Sequence, residues 1–393
     1  MKKRAAPDGP VGLRYPIIRP SLPDLAAIRE AMAGMWKTGQ VTVGPSVRSF
    51  ESAVAKRLGV RNAVAVSSCT SGLILAVRAL GLSGEVILPS FTFAATAHAL
   101  LWNGITPVFA DSEPGTLNLD PRKVEEKITA RTSAIMPVAI FGVPPKVDAF
   151  RRIARKHSLR LLYDSAQAIG AKVNGKYVGG FGDAEVFSFS PTKVVTAIEG
   201  GIVTTNDDVL ARQVRQMRDY GKAADGEDME YIGLSARMSE LHAEVGRANL
   251  SRMAALIRHR GKLVALYKKI LSRIPGVRFQ EIPENVSPSH NYMVVFVDGS
   301  GGFTRDDLYR GLEKEGIQTK RYFFPAVHEM TAYRKWGRTS RGKLPVAEKA
   351  AREGLALPLY GDLGPVDVKH ICLRLRSVVA VVESPWKRQG GDR

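Results

Sequence analysis

The sequence predicts an α/β fold: a large domain with a mostly parallel sheet, followed by a smaller α+β domain at the C-terminal end. Two observations support this prediction. Between about residues 60 and 205, short apolar runs alternate with amphipathic stretches, and strands that are joined by crossover helices form parallel sheets. Further along, the apolar run NYMVVFVDG (291–299) precedes a helical pattern at 303–316, which indicates a second region of mixed structure.

Each element is predicted from its own pattern. The strands of the large domain are predicted at 63–68, 85–90, 106–112, 133–142, 159–165, 184–190 and 200–207. Amphipathic helices are predicted at 71–82 and 94–103, and the segment 208–275 is predicted to be helical. In the helix at 303–316, Thr304 fits an N-cap and Gly316 fits a C-terminal stop.

These elements divide the chain into three parts. Residues 1–45 are predicted to form an N-terminal arm and first helix, 46–255 the large domain, and 256–393 the small domain. Ligands of such sheets bind outside the carboxyl ends of the strands. We therefore expect the functional residues of the large domain directly after its apolar runs.

Composition narrows the functional classes. The 57 Lys and Arg residues exceed the 38 Asp and Glu residues, so the net charge is +19. Such a charge attracts anionic partners. The basic residues are spread over several stretches, and no helix-turn-helix, zinc-finger or aromatic RNA-binding motif accompanies them. Nucleic-acid binding is therefore not the favoured interpretation, and a phosphorylated small molecule remains a candidate.

Cysteine content and hydropathy indicate the cellular compartment in which the protein is expected. Cys69 and Cys372 are the two cysteines, too few for a disulfide framework, which favours a reducing cytoplasm. No Cys/His cluster has zinc spacing, so no metal is predicted. No apolar run reaches eighteen residues, and no apolar stretch follows the basic N-terminus. Neither a membrane span nor a secretory signal is predicted.

The segment EVFSFSPTKVVTAIEGG (185–201) carries the first candidate residue. Lys193 stands between the hydroxyl-rich end of an apolar strand and a second apolar run. A lysine amine that is shielded from water becomes a usable nucleophile and can form a Schiff base. The alternative is a loop lysine that points to solvent.

Three further strand ends carry candidates. Asp164 ends an apolar strand, where a buried carboxylate needs a partner or caps the next helix; the pyridine nitrogen of pyridoxal phosphate (PLP) is one such partner. Thr70 and Ser71 precede an amphipathic helix, and they either bind a phosphate at its N-terminus or belong to a plain Ser/Thr cap. Phe93 follows a third strand and is either a stacking platform or core.

Taken together, these motifs resemble the sugar aminotransferases of the DegT/StrS family, in the fold type I class of aspartate aminotransferase. The resemblance covers nearly the whole chain and includes several motifs in order. They are SSCTSG, PSFTFAATA, YDSAQAIGA, SFSPTKVVTAIEGG and GLSARMSELHAEVGRANL.

The resemblance implies PLP as the cofactor and a role for each matching residue. Lys193 would hold the cofactor covalently, and Asp164 would pair with its ring nitrogen. Gln167 would lie beside the ring hydroxyl and Phe93 would stack on the ring. The residues implied as phosphate contacts are Thr70, Ser71 and Ser188.

The second half of the chain matches less completely. The resemblance implies a homodimer in which the GLSARM segment reaches the partner's cofactor phosphate. The family has Asn where this chain has Ser235, whose side chain reaches less far. Arg237 and His328 match family residues near the substrate, and each could equally be structural. Glu199 matches an acidic residue that we interpret as loop architecture or a contact with the partner subunit, and not as a proton carrier.

The implied activity is transfer of an amino group, from glutamate, to a keto-6-deoxysugar carried by a nucleotide diphosphate, with position 4 as the expected carbon. Alternatives are an amino-cyclitol aminotransferase, a PLP-linked sugar 3-dehydratase and a regulatory relative without activity. The dehydratases carry His in place of the lysine, so Lys193 argues against that alternative.

Overall fold

The computed structural model describes residues 13–339 and 343–383. The strands are β1 (Asn62–Val66), β2 (Glu85–Pro89), β3 (Thr106–Ala110), β4 (Thr132–Ile135), β5 (Arg160–Asp164), β6 (Lys172–Val173), β7 (Lys176–Tyr177), β8 (Ala184–Ser188), β9 (Gly201–Thr205), β10 (Val277–Phe279), β11 (Val286–Ser287), β12 (Met293–Val297) and β13 (Gly354–Leu357).

Helices cover these strands. The α-helices are α1 (Ala26–Thr38), α2 (Pro45–Leu58), α3 (Cys69–Ala79), α4 (Ala95–Leu101), α5 (Pro121–Glu125), α6 (Val147–Lys156), α7 (Asp208–Met217), α8 (Glu240–Ser251), α9 (Met253–Leu271), α10 (Arg305–Lys314), α11 (Arg334–Thr339), α12 (Pro345–Glu353) and α13 (Pro365–Glu383). Short 3₁₀ helices occur at Ile140–Gly142, Val327–Glu329 and Thr331–Tyr333.

The large sheet has seven strands in the order β1-β9-β8-β5-β4-β2-β3. The pairs from β8 through β3 are parallel, whereas β9 pairs antiparallel with both β8 and β1. Within this sheet β9 therefore runs against the other six strands. The predicted mostly parallel sheet is confirmed, and it places the carboxyl ends of β1, β2, β5 and β8 at one edge.

Burial on both faces explains why the strands read as continuous apolar runs. In β1, Ala63 and Ala65 pack into one hydrophobic cluster, while Val64 and Val66 pack into the other. The clusters lie on opposite faces of the sheet because successive strand residues point to opposite sides. Helices cover both faces, as is typical of parallel sheets.

The C-terminal region has a smaller antiparallel sheet in the order β10-β12-β13. Its core joins residues of α9, β12, α10 and α13, and it also includes Tyr15 near the N-terminus. The predicted ends of α10 are confirmed. Asp307 N–H donates to Thr304 Oγ1 at 3.2 Å, Thr304 N–H donates to the Asp307 carboxylate at 2.9 Å, and Gly316 has a positive φ of 70°.

Two predicted elements differ from the structure. The segment 218–239 is not helical: its backbone pairs with itself, with bridges between Asp219 and Ser235 and between Lys222 and Met229. Gly221 has a φ of 92°, which a helix does not accommodate. The strand predicted at 133–142 ends at Ile135, because Pro137 has no N–H to continue a ladder.

The predicted domain boundaries remain a prediction. Helix α9 runs across position 255, which was the predicted limit of the large domain. Across the described ranges, no helix is both long enough and apolar enough to cross a bilayer.

Candidate functional site

A cavity of about 310 Å³ opens at the carboxyl edge of the large sheet. Both regions of the chain contribute to its wall. The lining residues are Ser68, Cys69, Thr70, Leu73, Thr92, Phe93, Ala95, Val138, Asp164, Ala166, Gln167, Ser188, Ser190, Thr192, Lys193, Glu199, Gly200, Tyr292, Lys320, Tyr322 and Phe323. Six of the predicted site residues are thus brought together: Thr70, Phe93, Asp164, Gln167, Ser188 and Lys193.

The loop after β8 holds Lys193 in the cavity wall. Lys193 is only 9% exposed. Within the described part of the chain, its Nζ makes no hydrogen bond or ion pair. The ring centre of Tyr292 lies 5.8 Å from Nζ. Asn291 fixes the loop, since its side-chain oxygen accepts the N–H of Val194 at 3.2 Å. Lys193 is therefore a buried amine in a fixed loop, not a solvent-exposed lysine.

Asp164 ends β5 and is buried. One carboxylate oxygen accepts the Ala166 N–H at 3.1 Å and the other accepts the Thr96 hydroxyl at 2.7 Å. Burial raises the pKa of Asp164 above its usual value, and the two hydrogen bonds and the Lys193 ammonium oppose that rise in part. The bond from Ala166 is the local capping interaction that the sequence analysis gave as one role of Asp164. The carboxylate also faces the cavity.

Gln167 and Phe93 flank this carboxylate. The side-chain oxygen of Gln167 accepts the Phe141 N–H at 2.9 Å, which leaves its NH₂ end as the donor available to the cavity. Phe93 is 59% exposed although it lines the cavity. An exposed aromatic ring at a cavity mouth suits a flat ligand or a covering chain better than it suits a core.

The N-terminus of α3 forms another part of the wall. Ser68 caps the helix by accepting the N–H of Ser71 at 3.0 Å. The hydroxyl of Ser71 is engaged with Ser68 and does not line the cavity, whereas Thr70 and Ser188 do. A helix N-terminus with nearby hydroxyls suits a phosphate. The phosphate role of Ser71 through its side chain remains a prediction.

The C-terminal region contributes residues that the sequence analysis missed. Tyr292, Lys320, Tyr322 and Phe323 line the cavity. Burial raises the pKa of Tyr292, but Lys193, hydrogen bonds from Thr192 and Tyr322, and Lys320 together bring it below its usual value. Tyr292 stands at the start of the run NYMVVFVDG. That run was interpreted as a strand, and no local pattern marked its first aromatic residue.

Besides Ser71, three predicted site residues do not line this cavity. Ser235 is exposed, and Arg237 pairs with Asp219 at 2.9 Å. The His328 ring lies 2.6 Å from the Ser90 hydroxyl and 3.5 Å from Glu348. None of the three lines the cavity of its own chain, and their roles remain predictions. Glu199 does line it.

Comparison with known proteins decides the family. The model of the DegT/DnrJ/EryC1/StrS aminotransferase family matches residues 24–376. The chain belongs to this family. It is 33% identical over 352 residues to the dTDP-4-amino-4,6-dideoxy-D-glucose transaminase of Escherichia coli, covering 88% of this chain and 94% of that protein. It is 34% identical over 357 residues to the GDP-perosamine synthase of Caulobacter vibrioides, covering 90% and 94%.

Solved structures share the fold. DesI, solved in the presence of its TDP-sugar product, is 38% identical, with a TM-score of 0.90 and 97% of each chain covered. DesV of S. venezuelae is 32% identical, with a TM-score of 0.83 and 95% of this chain and 99% of that chain covered. Fold type I and PLP-dependent aminotransferase activity, both expected from the motifs, are confirmed.

The residues present fit PLP. Lys193 is buried and has no hydrogen-bond or ion-pair partner among the described residues, so its amine is available to bind an aldehyde. Asp164 offers a carboxylate for a ring nitrogen, and the NH₂ end of Gln167 offers a donor for a ring oxygen. Thr70 and Ser188 offer hydroxyls for a phosphate.

Proposed function

We propose that this aminotransferase moves the amino group of L-glutamate to position 4 of a keto-6-deoxysugar that is linked to a nucleoside diphosphate. The observation that carries the proposal is the buried amine of Lys193 in one cavity with the Asp164 carboxylate. It is supported by 33% identity over 88% of the chain to a protein named for 4-amino-4,6-dideoxy-D-glucose.

Charge and shape agree with such a substrate. Lys320 is exposed and lines the cavity, which gives the entrance a cation. The net charge of +19 favours capture of an anionic molecule from solution. In a nucleotide-linked sugar the negative charge lies on the pyrophosphate, away from the reacting carbon. A cationic entrance at Lys320 and an inner wall that includes Tyr292 and Tyr322 suit such a molecule.

PLP, when bound, supplies a ring that withdraws electrons from the carbon that carries the amino group. Lys193 Nζ would hold the cofactor until the donor's amino group takes its place. The amine released in this exchange is buried and has no other partner in the described chain, so it would take up the proton that the donor's α-carbon loses. Asp164 would pair with the ring nitrogen and keep a proton on it. The Tyr292 ring, whose centre lies 5.8 Å from Lys193 Nζ, contributes to the burial of this amine.

The proposed assembly is a homodimer with shared sites. Phe93 is exposed at the cavity mouth, and Ser235 and Arg237 do not line the cavity of their own chain. Exposed apolar side chains of the N-terminal region support burial against a second copy; they are Leu22, Leu25, Trp36 and Val41. Sedimentation of the active enzyme should give the mass of a dimer, and an active monomer would refute the shared site.

The substrate is tested by incubating the PLP-loaded enzyme with glutamate and a panel of nucleotide-linked keto-sugars and keto-cyclitols. The expected product carries an amine at position 4 of a 6-deoxyhexose, assigned by NMR. Amination of a cyclitol in its place would establish the alternative substrate class. The Lys193→Ala variant, which keeps the cavity and removes the amine, is the matched control.

A cytoplasmic location is part of the proposal, and fractionation of cells checks it.

A further inference from the structure

The carboxylate of Asp164 is held by a residue that does not line the cavity. Thr96, on α4, is fully buried, and its hydroxyl oxygen lies 2.7 Å from Asp164 Oδ2. The same hydroxyl oxygen lies 2.9 Å from the hydroxyl of Thr92 and 3.1 Å from the carbonyl oxygen of Phe93. Thr96 therefore stands at the centre of a small buried network, and its single proton has more than one possible acceptor.

The chemistry of the groups fixes the direction of the hydrogen bonds. An ionised carboxylate only accepts, and bonds to it are shorter and stronger than bonds to a neutral carbonyl. The 2.7 Å distance to Asp164 is the shortest of the three. The Thr96 proton therefore lies toward Asp164, and the Thr92 hydroxyl donates to Thr96. The Phe93 carbonyl keeps a partner, because the Thr96 backbone N–H also donates to it, at 3.2 Å.

We propose that Thr96 is a positioning residue that keeps Asp164 ionised and aimed at the cofactor ring, and that Thr92 supports it by donating to its hydroxyl. Thr96 is 0% exposed and does not line the cavity, so water does not replace its hydroxyl as a donor to Asp164, whereas Thr92 is 1% exposed and lies in the cavity wall. The buried carboxylate otherwise has the Ala166 N–H as its second donor. The proposal concerns the cofactor site and does not depend on which sugar is the substrate.

The consequence is a pH effect with a definite sign. Burial raises the pKa of Asp164, and the Thr96 hydrogen bond is the largest influence that opposes the rise. Loss of this donor moves the pKa of Asp164 further up. Since the carboxyl is ionised only above its pKa, affinity for PLP then begins to fall at a higher pH as the solution is acidified.

The experiment measures PLP affinity of the apoenzyme by absorbance titration over a range of pH. Thr96→Val removes the donor at constant shape and should weaken PLP binding about tenfold or more at neutral pH, in line with a hydrogen bond to a charged group. The acid limb, which is the fall of PLP affinity as the pH is lowered, should move to higher pH in this variant. Thr96→Ser restores the donor and should behave as the wild type. If Thr96→Val does not fold, Thr96→Ala carries the same test.

One control variant, Thr204→Val, and one further network variant, Thr92→Val, separate the effect of the network from general loss of a buried hydroxyl. Thr204→Val removes a fully buried hydroxyl that donates to the Gly179 carbonyl at 2.7 Å, away from the cavity, and should leave PLP affinity unchanged. Thr92→Val should shift the acid limb in the same direction as Thr96→Val but less. The proposal fails if Thr96→Val keeps wild-type affinity and acid limb, if Thr96→Ser behaves as Thr96→Val, or if Thr204→Val weakens PLP binding equally.

Discussion

Replacement of Asp164 by asparagine separates the charge of this residue from its shape. In the wild type, one carboxylate oxygen accepts from Ala166 and the other from Thr96. In the variant the amide oxygen keeps the Ala166 bond, and the amide nitrogen donates to the Thr96 hydroxyl. That hydroxyl then donates to the Phe93 carbonyl, 3.1 Å away. Every polar group keeps a partner, so the variant should fold.

The stability of the apoenzyme should not fall. Burial raises the pKa of Asp164, which means that the folded protein pays a desolvation penalty for the ionised form at neutral pH. The asparagine variant has no charge to desolvate. Its apoenzyme should therefore be at least as stable as the wild type at pH 7, as judged by the free energy of unfolding in urea.

Cofactor binding should respond in the opposite direction. A hydrogen bond to a charged group contributes about 1.5–3 kcal/mol net, so losing the carboxylate should raise the dissociation constant for PLP about 10- to 100-fold. The acid limb of wild-type binding, which follows protonation of Asp164, should be absent in the variant. Titration of apoenzyme with PLP at several pH values measures both. Wild-type affinity together with an unchanged acid limb would refute the pairing of Asp164 with the ring nitrogen.

Three other substitutions test separate parts of the structure. Tyr292→Phe removes the oxygen that accepts from Tyr322 and should lower kcat/KM about tenfold or more while PLP remains bound; an unchanged kcat/KM would show that this hydroxyl is dispensable. Arg218→Met leaves the buried Glu51 without its ion pair at 2.5 Å and should lower the free energy of unfolding by about 3–5 kcal/mol; a loss below about 1 kcal/mol would contradict the importance assigned to the pair. Thr304→Ala removes the N-cap of α10 and should destabilise by about 1 kcal/mol with kcat unchanged; a large fall in kcat would show that α10 influences the site.

The sequence predicted the large sheet because its strands are buried on both faces. Runs such as EVILP in β2 are apolar at almost every position, and their ends carry Asp164, Phe93 and Lys193. Parallel pairing then brings these residues to one edge. The reversed direction of β9 was not predicted, because an apolar run does not encode the direction of its neighbour.

The residues that were missed come from distant parts of the chain. Thr96 and Asp164 are 68 positions apart, and only the packing of α4 against the edge of the sheet makes them partners. Tyr292 and Tyr322 reach the cavity from the C-terminal region, where sequence spacing relates them to nothing in the large domain. The helical prediction for 218–239 was wrong because the backbone there pairs with itself around Gly221.

The identity of the amine that holds PLP is the central claim, and reductive labelling tests it most directly. Borohydride treatment of the holoenzyme makes the link between cofactor and protein permanent, and proteolysis with mass spectrometry then locates it. The added mass of the cofactor is expected on the peptide that contains Lys193. A label on any other lysine, or a holoenzyme that takes no label, would contradict the account.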